Sequence, residues 1–524
     1  MPDGARLALL FSLGALLSGL TILDGINPHD EGLVLQAAAR IVDGELPYRD
    51  FYANYGPGQY YLVGGLDAVF GPSLLAWRVV RVALDALVGV LAYALVRRDA
   101  PEPFALAAWV AVVAVMAHPT LPHPNATALA LGLGAILLAR RSPAAAGALA
   151  GLAFAFRFDV GAAAAVGAAL AAGGRELARA RHAGGVALAG RDSEAPAHAA
   201  ARAFDRRGAG LALAAATATA AILMAPLAIA APSELWDQTI GFALDEQSLQ
   251  RLPLPGEYDG GFEPNKILAF YLPYVLMGGL ALWLVLAVAT RAPTRLWAAF
   301  PMALAGLAYL LARADEFHLV PLAAVLPVLL AGGAAREWLA GRKPAAAVLT
   351  LPLALIALDG LDKNRIDLVS GPPLERIHLD VADGVKAAPG ETRALEQLVP
   401  YVRERVPAGR PIFVANPRHD VVRVGNPLVY VLADRPNPTR YDVMQPGVVT
   451  TEDVQREIVR DLRRSRTGLV VRWLSPVAAE AEPNGAGRSS GVRILDRELA
   501  RRYVEVERFG DYAVLRPRRG AGAE

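Results

Sequence analysis

Ionisable residues interrupt an otherwise apolar chain at three places, and each place holds groups able to move a proton or fix a charge. The first is the acid pair Asp30 and Glu31, preceded by His29, which opens the polar and aromatic-rich stretch Asn27 to Tyr61. The second is Arg157 with Asp159, and the third is Arg313 with Asp315, Glu316 and His318. A carboxylate beside a hydroxyl can remove its proton. Charged side chains at membrane depth are costly, which makes them functional candidates by default. Each also has a structural reading. Arg157 and Asp159 can pair or cap a re-entrant turn, and His318 can bond a neighbouring carbonyl. Arg78, Arg81 and Asp85 share a helical face, and the i,i+4 spacing of Arg81 and Asp85 points to an interhelical network. Asp43, Glu45, Arg49 and Asp50 fit the solvated face and exit of an interfacial helix.

The elements that must position these groups are membrane helices. The chain is 54% hydrophobic and 19% charged over 524 residues, with a mean hydropathy of +0.34. A soluble protein is nearer about a quarter charged. The apolar residues come in runs of about fifteen to twenty-five, the mark of a polytopic α-helical membrane protein. With no cysteine, disulfides, thiolate zinc sites and thiol nucleophiles are excluded. Residues 5–23 read as a retained first span rather than a cleaved signal, and 62–70 as an interfacial helix. Further spans follow at 73–96, 104–117, 126–139, 210–231, 267–290, 296–311, 319–335 and 345–358. Residues 144–174 read as two short passes turning at Arg157, because arginines both before and after that stretch belong inside. The expectation is about eleven spans (nine to thirteen) over residues 1–360, with the N-terminus cytoplasmic, the loop 27–61 outside and the loop 184–207 flexible. Residues 362–524 read as a small extracytoplasmic α/β domain. In it RPIFVA and TGLVVRWL are strands, PLVYVLADRPNPTRY a strand and turn, DVQREIVRDLRRS an amphipathic helix, and YVEVERFGDYAVLRP a hairpin. An open doubly wound form would hint at nucleotide binding, but no glycine-rich phosphate loop supports it.

The order of motifs then resembles a family. His29-Asp30-Glu31-Gly32, Gly44-Glu45-Leu46-Pro47-Tyr48-Arg49-Asp50, Tyr55-Gly56-Pro57-Gly58-Gln59-Tyr60-Tyr61, Phe70-Gly71 and Arg97-Arg98 follow one another as in the GT-C glycosyltransferases of the protein mannosyltransferase and aminoarabinose transferase type. The segment from Gly151 to Asp159 is similar to a later motif of that family. The resemblance covers about the first 359 residues and implies a fold, an activity and a site. The implied reaction moves a sugar, hexose or pentose, from a polyprenyl-phosphate donor to an extracytoplasmic hydroxyl on a lipid, glycan or protein, with inversion. It implies Asp30 as general base with Glu31 as its catalytic support. Arg157 and Arg313 are the best placed cations for the donor phosphate, since the guanidinium fork matches phosphate oxygens. His29, Tyr52, Tyr55, Tyr60, Asp159, Asp315 and His318 are expected to line the substrate pocket. No obligatory metal or cofactor is expected, although His29, Asp30 and Glu31 could offer a divalent ion ligands. The implied surroundings are the lipids of a bacterial plasma membrane, with no nucleic-acid partner. The alternatives are a flippase of lipid-linked sugars, disfavoured by the absence of a visible inverted repeat, and a non-catalytic envelope assembly protein.

Overall fold

The computed structural model describes residues 3–53, 55–118, 120–174, 204–245, 247–254, 262–290, 294–362 and 371–518. Apolar sequence folds into a helical bundle: α1 (Asp3–Gly19), α4 (Leu74–Arg97), α5 (Glu102–Met116), α6 (Asn125–Leu138), α7 (Pro143–Phe156), α8 (Phe158–Gly173), α9 (Arg206–Ala230), α10 (Pro264–Ala289), α11 (Phe300–Ala312), α12 (Glu316–Leu339) and α13 (Lys343–Leu361). Between α1 and α4 lie α2 (Asp30–Val42) and α3 (Gly58–Phe70). Helices α4, α9, α10, α12 and α13 are each long and apolar enough to cross a membrane, whereas α5 to α8 and α11 are shorter apolar helices. Among the described residues, these five are long and apolar enough to cross by length and composition alone. The protein is a polytopic helical membrane protein.

Small residues set the packing. A Cβ on Gly147 would lie 2.1 Å from the carbonyl oxygen of Ala212, and one on Gly151 would lie 2.4 Å from that of Ala216. Only glycine lets α7 and α9 approach this closely. The expected break between the two short helices at Arg157 is present, with Arg157 in extended conformation between α7 and α8. Of the expected flexible loop, residues 184–203 lie outside the described residues. Its end is ordered helix instead: Asp205 caps α9 by accepting from the Gly208 N–H at 3.1 Å, and Arg206 and Arg207 form the first turn.

The C-terminal domain contains α14 (Pro389–Arg405), α15 (Leu428–Ala433), α16 (Glu452–Arg464) and α17 (Ile494–Arg502). Its strands are β1 (Glu375–Arg376), β2 (Lys386–Ala387), β3 (Phe413–Ala415), β4 (Val470–Trp473), β5 (Tyr503–Phe509) and β6 (Tyr512–Pro517). The main sheet runs β3-β4-β6-β5. Only β3 and β4 are parallel, and the expected β5–β6 hairpin closes the other edge. This mixed sheet is not doubly wound. The segment read as a strand, PLVYVLA, is α15 instead. Pro427 starts it, Asp434 ends it in the left-handed conformation, and all six helical residues are buried. A short run that is apolar on every side carries no period to separate helix from strand.

The domain is seated on the segment between α1 and α3. The Lys386 N–H donates to the Leu23 carbonyl at 2.7 Å, the Leu428 N–H to Pro28 at 3.3 Å, and the Tyr52 N–H to Arg440 at 2.8 Å. Arg40 and Asp442 form an ion pair at 2.8 Å, both largely buried. Helix α2 is consequently buried from Glu31 to Ala38, between α3 and α15, instead of lying half-solvated at an interface.

Candidate active site

Helix phase separates the acid pair. Consecutive residues on a helix point about 100° apart, so Asp30 and Glu31 at the start of α2 cannot face the same way. Glu31 is fully buried and accepts from Arg78 Nε at 2.7 Å and Nη2 at 2.8 Å. It also accepts from the Asn27 N–H at 3.0 Å. Arg78 in turn donates to the carbonyls of Ile22 at 2.9 Å and Gly25 at 2.7 Å. This knot ties the first loop to α4 and occupies both oxygens of Glu31. Arg78 therefore leaves the expected network on α4, while Arg81 and Asp85 pair within it at 2.6 Å.

Asp30 is free of such a clamp. Asn27 Nδ2 donates to its Oδ2 at 3.0 Å, and the other oxygen, Oδ1, lies 3.7 Å from His123 Nε2. Burial pushes the Asp30 carboxyl up, but His123, His29 and the Asn27 bond outweigh it and hold the group well below the usual carboxylate range. Asp30 stays ionised. Burial also holds the neighbouring His29 below its ordinary value, against the pull of Asp30. That keeps the imidazole neutral, and no hydrogen-bond partner reaches its Nδ1 among the described residues.

A chain of contacts runs from Asp30 to the other two polar places. His123 belongs to the loop before α6, and Asn125 two residues on accepts from Arg157 Nη1 at 2.6 Å. Arg157 donates to Asp159 through Nε at 3.0 Å and Nη2 at 2.6 Å. Its guanidinium lies 3.9 Å over the ring of Tyr309, which stacks on His318 with centroids 4.2 Å apart. His318 Nδ1 is hydrogen-bonded to Asp315 Oδ1 at 2.6 Å. Asp315 caps α12 through the N–H groups of Phe317 and His318 at 3.1 and 3.0 Å. Burial alone would raise the Asp315 carboxyl, but its bond with His318 and the nearby Arg313 bring it down to about 2. The Arg313 Nε donates to Asp315 at 2.5 Å, and the remaining edge of its fork meets Glu482 of the C-terminal domain at 2.9 and 2.5 Å.

The polar groups therefore converge on one end of the bundle, beside a cavity lined by Arg81, His118, Leu121, His123, Asn125, Phe317 and Val320. An adjoining cavity shares His118, Leu121 and Phe317 and adds Glu316 and Asp359. The three tyrosines have different neighbours. Tyr55 meets His123 edge-on at 5.1 Å. Tyr52 lies against Tyr441 of the C-terminal domain at 6.1 Å. Tyr60 is buried in an apolar cluster with Tyr48 and Phe51, against which Tyr55 also packs. Among the described residues no three His, Asp or Glu side chains converge as ligands of a metal ion would. Sequence reasoning passed over His123, Asn125, Tyr309 and Glu482. Two signals pointed to them: the histidines of HPTLPHPN, and the repeated spacing Arg157-x-Asp159 and Arg313-x-Asp315, which places a chelated arginine at each of two helix junctions.

The chain is thus an apolar helical bundle with an acid-bearing helix after its first helix and an α/β domain seated on that helix. No family model and no curated protein matches the sequence. Among solved structures, the chain is similar to ArnT from Cupriavidus metallidurans in the apo state, with 12% identity over 99% of both chains and a TM-score of 0.54. It is likewise similar to ArnT bound to undecaprenyl phosphate, with 11% identity over the whole of both chains and a TM-score of 0.52. The archaeal oligosaccharyltransferase AglB from Archaeoglobus fulgidus, in complex with an inhibitory peptide and a dolichol-phosphate, matches 98% of this chain and 74% of its own. That match has 12% identity and a TM-score of 0.53. The chain has the GT-C fold.

Proposed function

We propose that the protein is a membrane glycosyltransferase that moves a sugar from a polyprenyl-phosphate donor to a hydroxyl acceptor on the extracytoplasmic side, with Asp30 as general base. The observation that carries this reading is the placement of Asp30: a carboxylate with one oxygen 3.7 Å from His123, which lines a cavity, in a GT-C fold. Two of the similar structures hold polyprenyl phosphates, dolichol-phosphate and undecaprenyl phosphate, which supports a donor of that class. In the reaction the acceptor oxygen loses its proton to Asp30 and bonds to the anomeric carbon. The bond from that carbon to the phosphate oxygen breaks, and its electron pair stays on the phosphate. A fixed cation lowers the barrier as that charge develops. Arg157 and Arg313 are the candidates for this role, and a phosphate at either must displace a carboxylate, Asp159 from Arg157 or Glu482 from Arg313. Glu31 supports the site by holding α2 in place.

The test is mass spectrometry of envelope glycans and glycolipids from a deletion strain carrying either the wild-type protein or Asp30→Asn. The expected result is a sugar-bearing product with the wild type that disappears with Asp30→Asn at equal protein level. An unchanged product with Asp30→Asn removes Asp30 from its role.

A further inference from the structure

We propose that His123 is the proton-accepting partner of Asp30. The proton that Asp30 takes from the acceptor hydroxyl passes to the His123 imidazole and leaves through the cavity that His123 lines. This rests on the reading of Asp30 as the base and adds the residue that regenerates it.

The geometry is that of a relay rather than a resting hydrogen bond. His123 Nε2 is 3.7 Å from Asp30 Oδ1, too far for a formed bond. A carboxylic acid created on that oxygen would find Nε2 as the basic atom beside it. The ring is held for this. Tyr55 meets it edge-on at 5.1 Å, Phe317 lies at 5.6 Å, and only 9% of the side chain is exposed. The opposite ring nitrogen, Nδ1, is buried with no hydrogen-bond partner among the described residues. A histidine placed only for packing would normally have that nitrogen satisfied.

The chemistry gives the relay a direction. An ordinary carboxyl has a pKa of about 3.9, so a proton on Asp30 is readily given up to a base beside it. Asp30, held even lower by its surroundings, cannot keep the proton it removes, and must be ionised again before the next turnover. Titratable and charged groups surround His123. They are His29 and Asp30 on α2, Arg81 on α4, His118 after α5, His318 on α12, and Arg157 through Asn125. Of these only Asp30 is an anion. The atoms balance as follows: the acceptor proton moves to Asp30 Oδ1 and then to Nε2, and the imidazolium then releases one proton to solvent, which returns the ring to its neutral form. The donor phosphodiester becomes a monoester with one more negative charge, matched by the proton released.

The experiment uses the full chain in lipid nanodiscs, with a panel of undecaprenyl-phosphoryl hexoses and pentoses as donors and a cell-envelope extract as acceptor. It follows release of undecaprenyl phosphate against pH, with the donor that the wild type turns over fastest. His123→Gln keeps a polar side chain and cannot be protonated. It is expected to lower kcat about a hundredfold, within the range of a lost proton-transfer group, with KM for the donor unchanged. The acid limb of the kcat profile is expected to be lost, because the variant has no proton-carrying group at this place. In His123→Gly, added imidazole is expected to restore part of the rate. A lowered kcat with the acid limb intact and no rescue overturns the relay and makes His123 a packing residue. A wild-type rate and profile in His123→Gln, with Asp30→Asn inactive, overturns the relay and leaves the base reading standing. Wild-type transfer by Asp30→Asn removes both.

Discussion

Asp30 and Glu31 are neighbours in sequence and opposites in chemistry, and the difference lies in what each oxygen touches. Both Glu31 oxygens are spent on a fully buried bidentate pair with Arg78, so a change there is a change in stability. Glu31→Gln leaves Arg78 buried without a counter-charge, a loss of about 3–5 kcal/mol, seen as a lower midpoint in thermal unfolding of the detergent-solubilised protein. Replacing both residues by leucine is expected to recover much of that loss, because a buried pair exchanged for apolar side chains is often near neutral. An unchanged midpoint in Glu31→Gln argues against the knot as the anchor of the first loop. Asp30 behaves differently with pH. Its folded-state proton affinity is depressed, so its contribution to stability is present above the ordinary carboxyl value and is lost as pH falls through the lower folded one. The family resemblance already divided the pair into Asp30 as base and Glu31 as support, but did not show what Glu31 touches. Which residue faced Arg78 depended on the exact start of α2, and helix boundaries are the least legible feature of a sequence.

Among the elements, the junctions between helices carry the site, and glycine decides whether they close. At the α7–α8 junction, Gly161 lies against the backbone of Phe154, where a Cβ would come within 2.1 Å of the Phe154 nitrogen and 2.2 Å of its Cα. Gly161→Ala is expected to pry α8 from α7 and move Arg157 off Asn125 and Tyr309. Transfer should fall at least about tenfold, since small misplacements of a positioned group are costly. Gly210→Ala, where a Cβ meets nothing within 4 Å, is the control and should be silent. Equal activity of the two variants would sink the claim that this junction sets Arg157. The helices were readable because their apolar runs are long, and the break at Arg157 followed from the charge rule applied to the arginines on both sides. The loop holding His123 and Asn125 was read only as a turn. Its role emerges when α2 and α6 are brought together, and proximity across 93 residues leaves no local trace (Asp30 to His123). The misread α15 has the same cause. Its burial comes from α2 on one side and the domain core on the other, which no window of its own sequence contains.

On the scale of the whole molecule, the C-terminal domain reaches into the site as well as resting on α2. The segment that follows β4 brings Glu482 to Arg313, with side chains 11% and 16% exposed, and Arg423 adds a contact to Glu482 at 3.2 Å. Asn484 ties the same segment to the Gln250 carbonyl at 3.2 Å. Arg313 also bonds that carbonyl, so one carboxylate helps fasten the bundle, the segment at Gln250 and the domain together. A carboxylate on this arginine also competes with any phosphate that would use it. Glu482→Gln is therefore expected to lower KM for the polyprenyl-phosphate donor about threefold, the scale of a partly exposed ion pair, with kcat unchanged. Limited proteolysis within residues 479–490 should quicken in the same variant, because Arg313 and Arg423 lose their shared anchor. Arg313→Gln should raise KM instead. If Glu482→Gln raises KM along with the proteolysis rate, Arg313 acts as the clamp that docks the domain, and the donor phosphate falls to Arg157 alone.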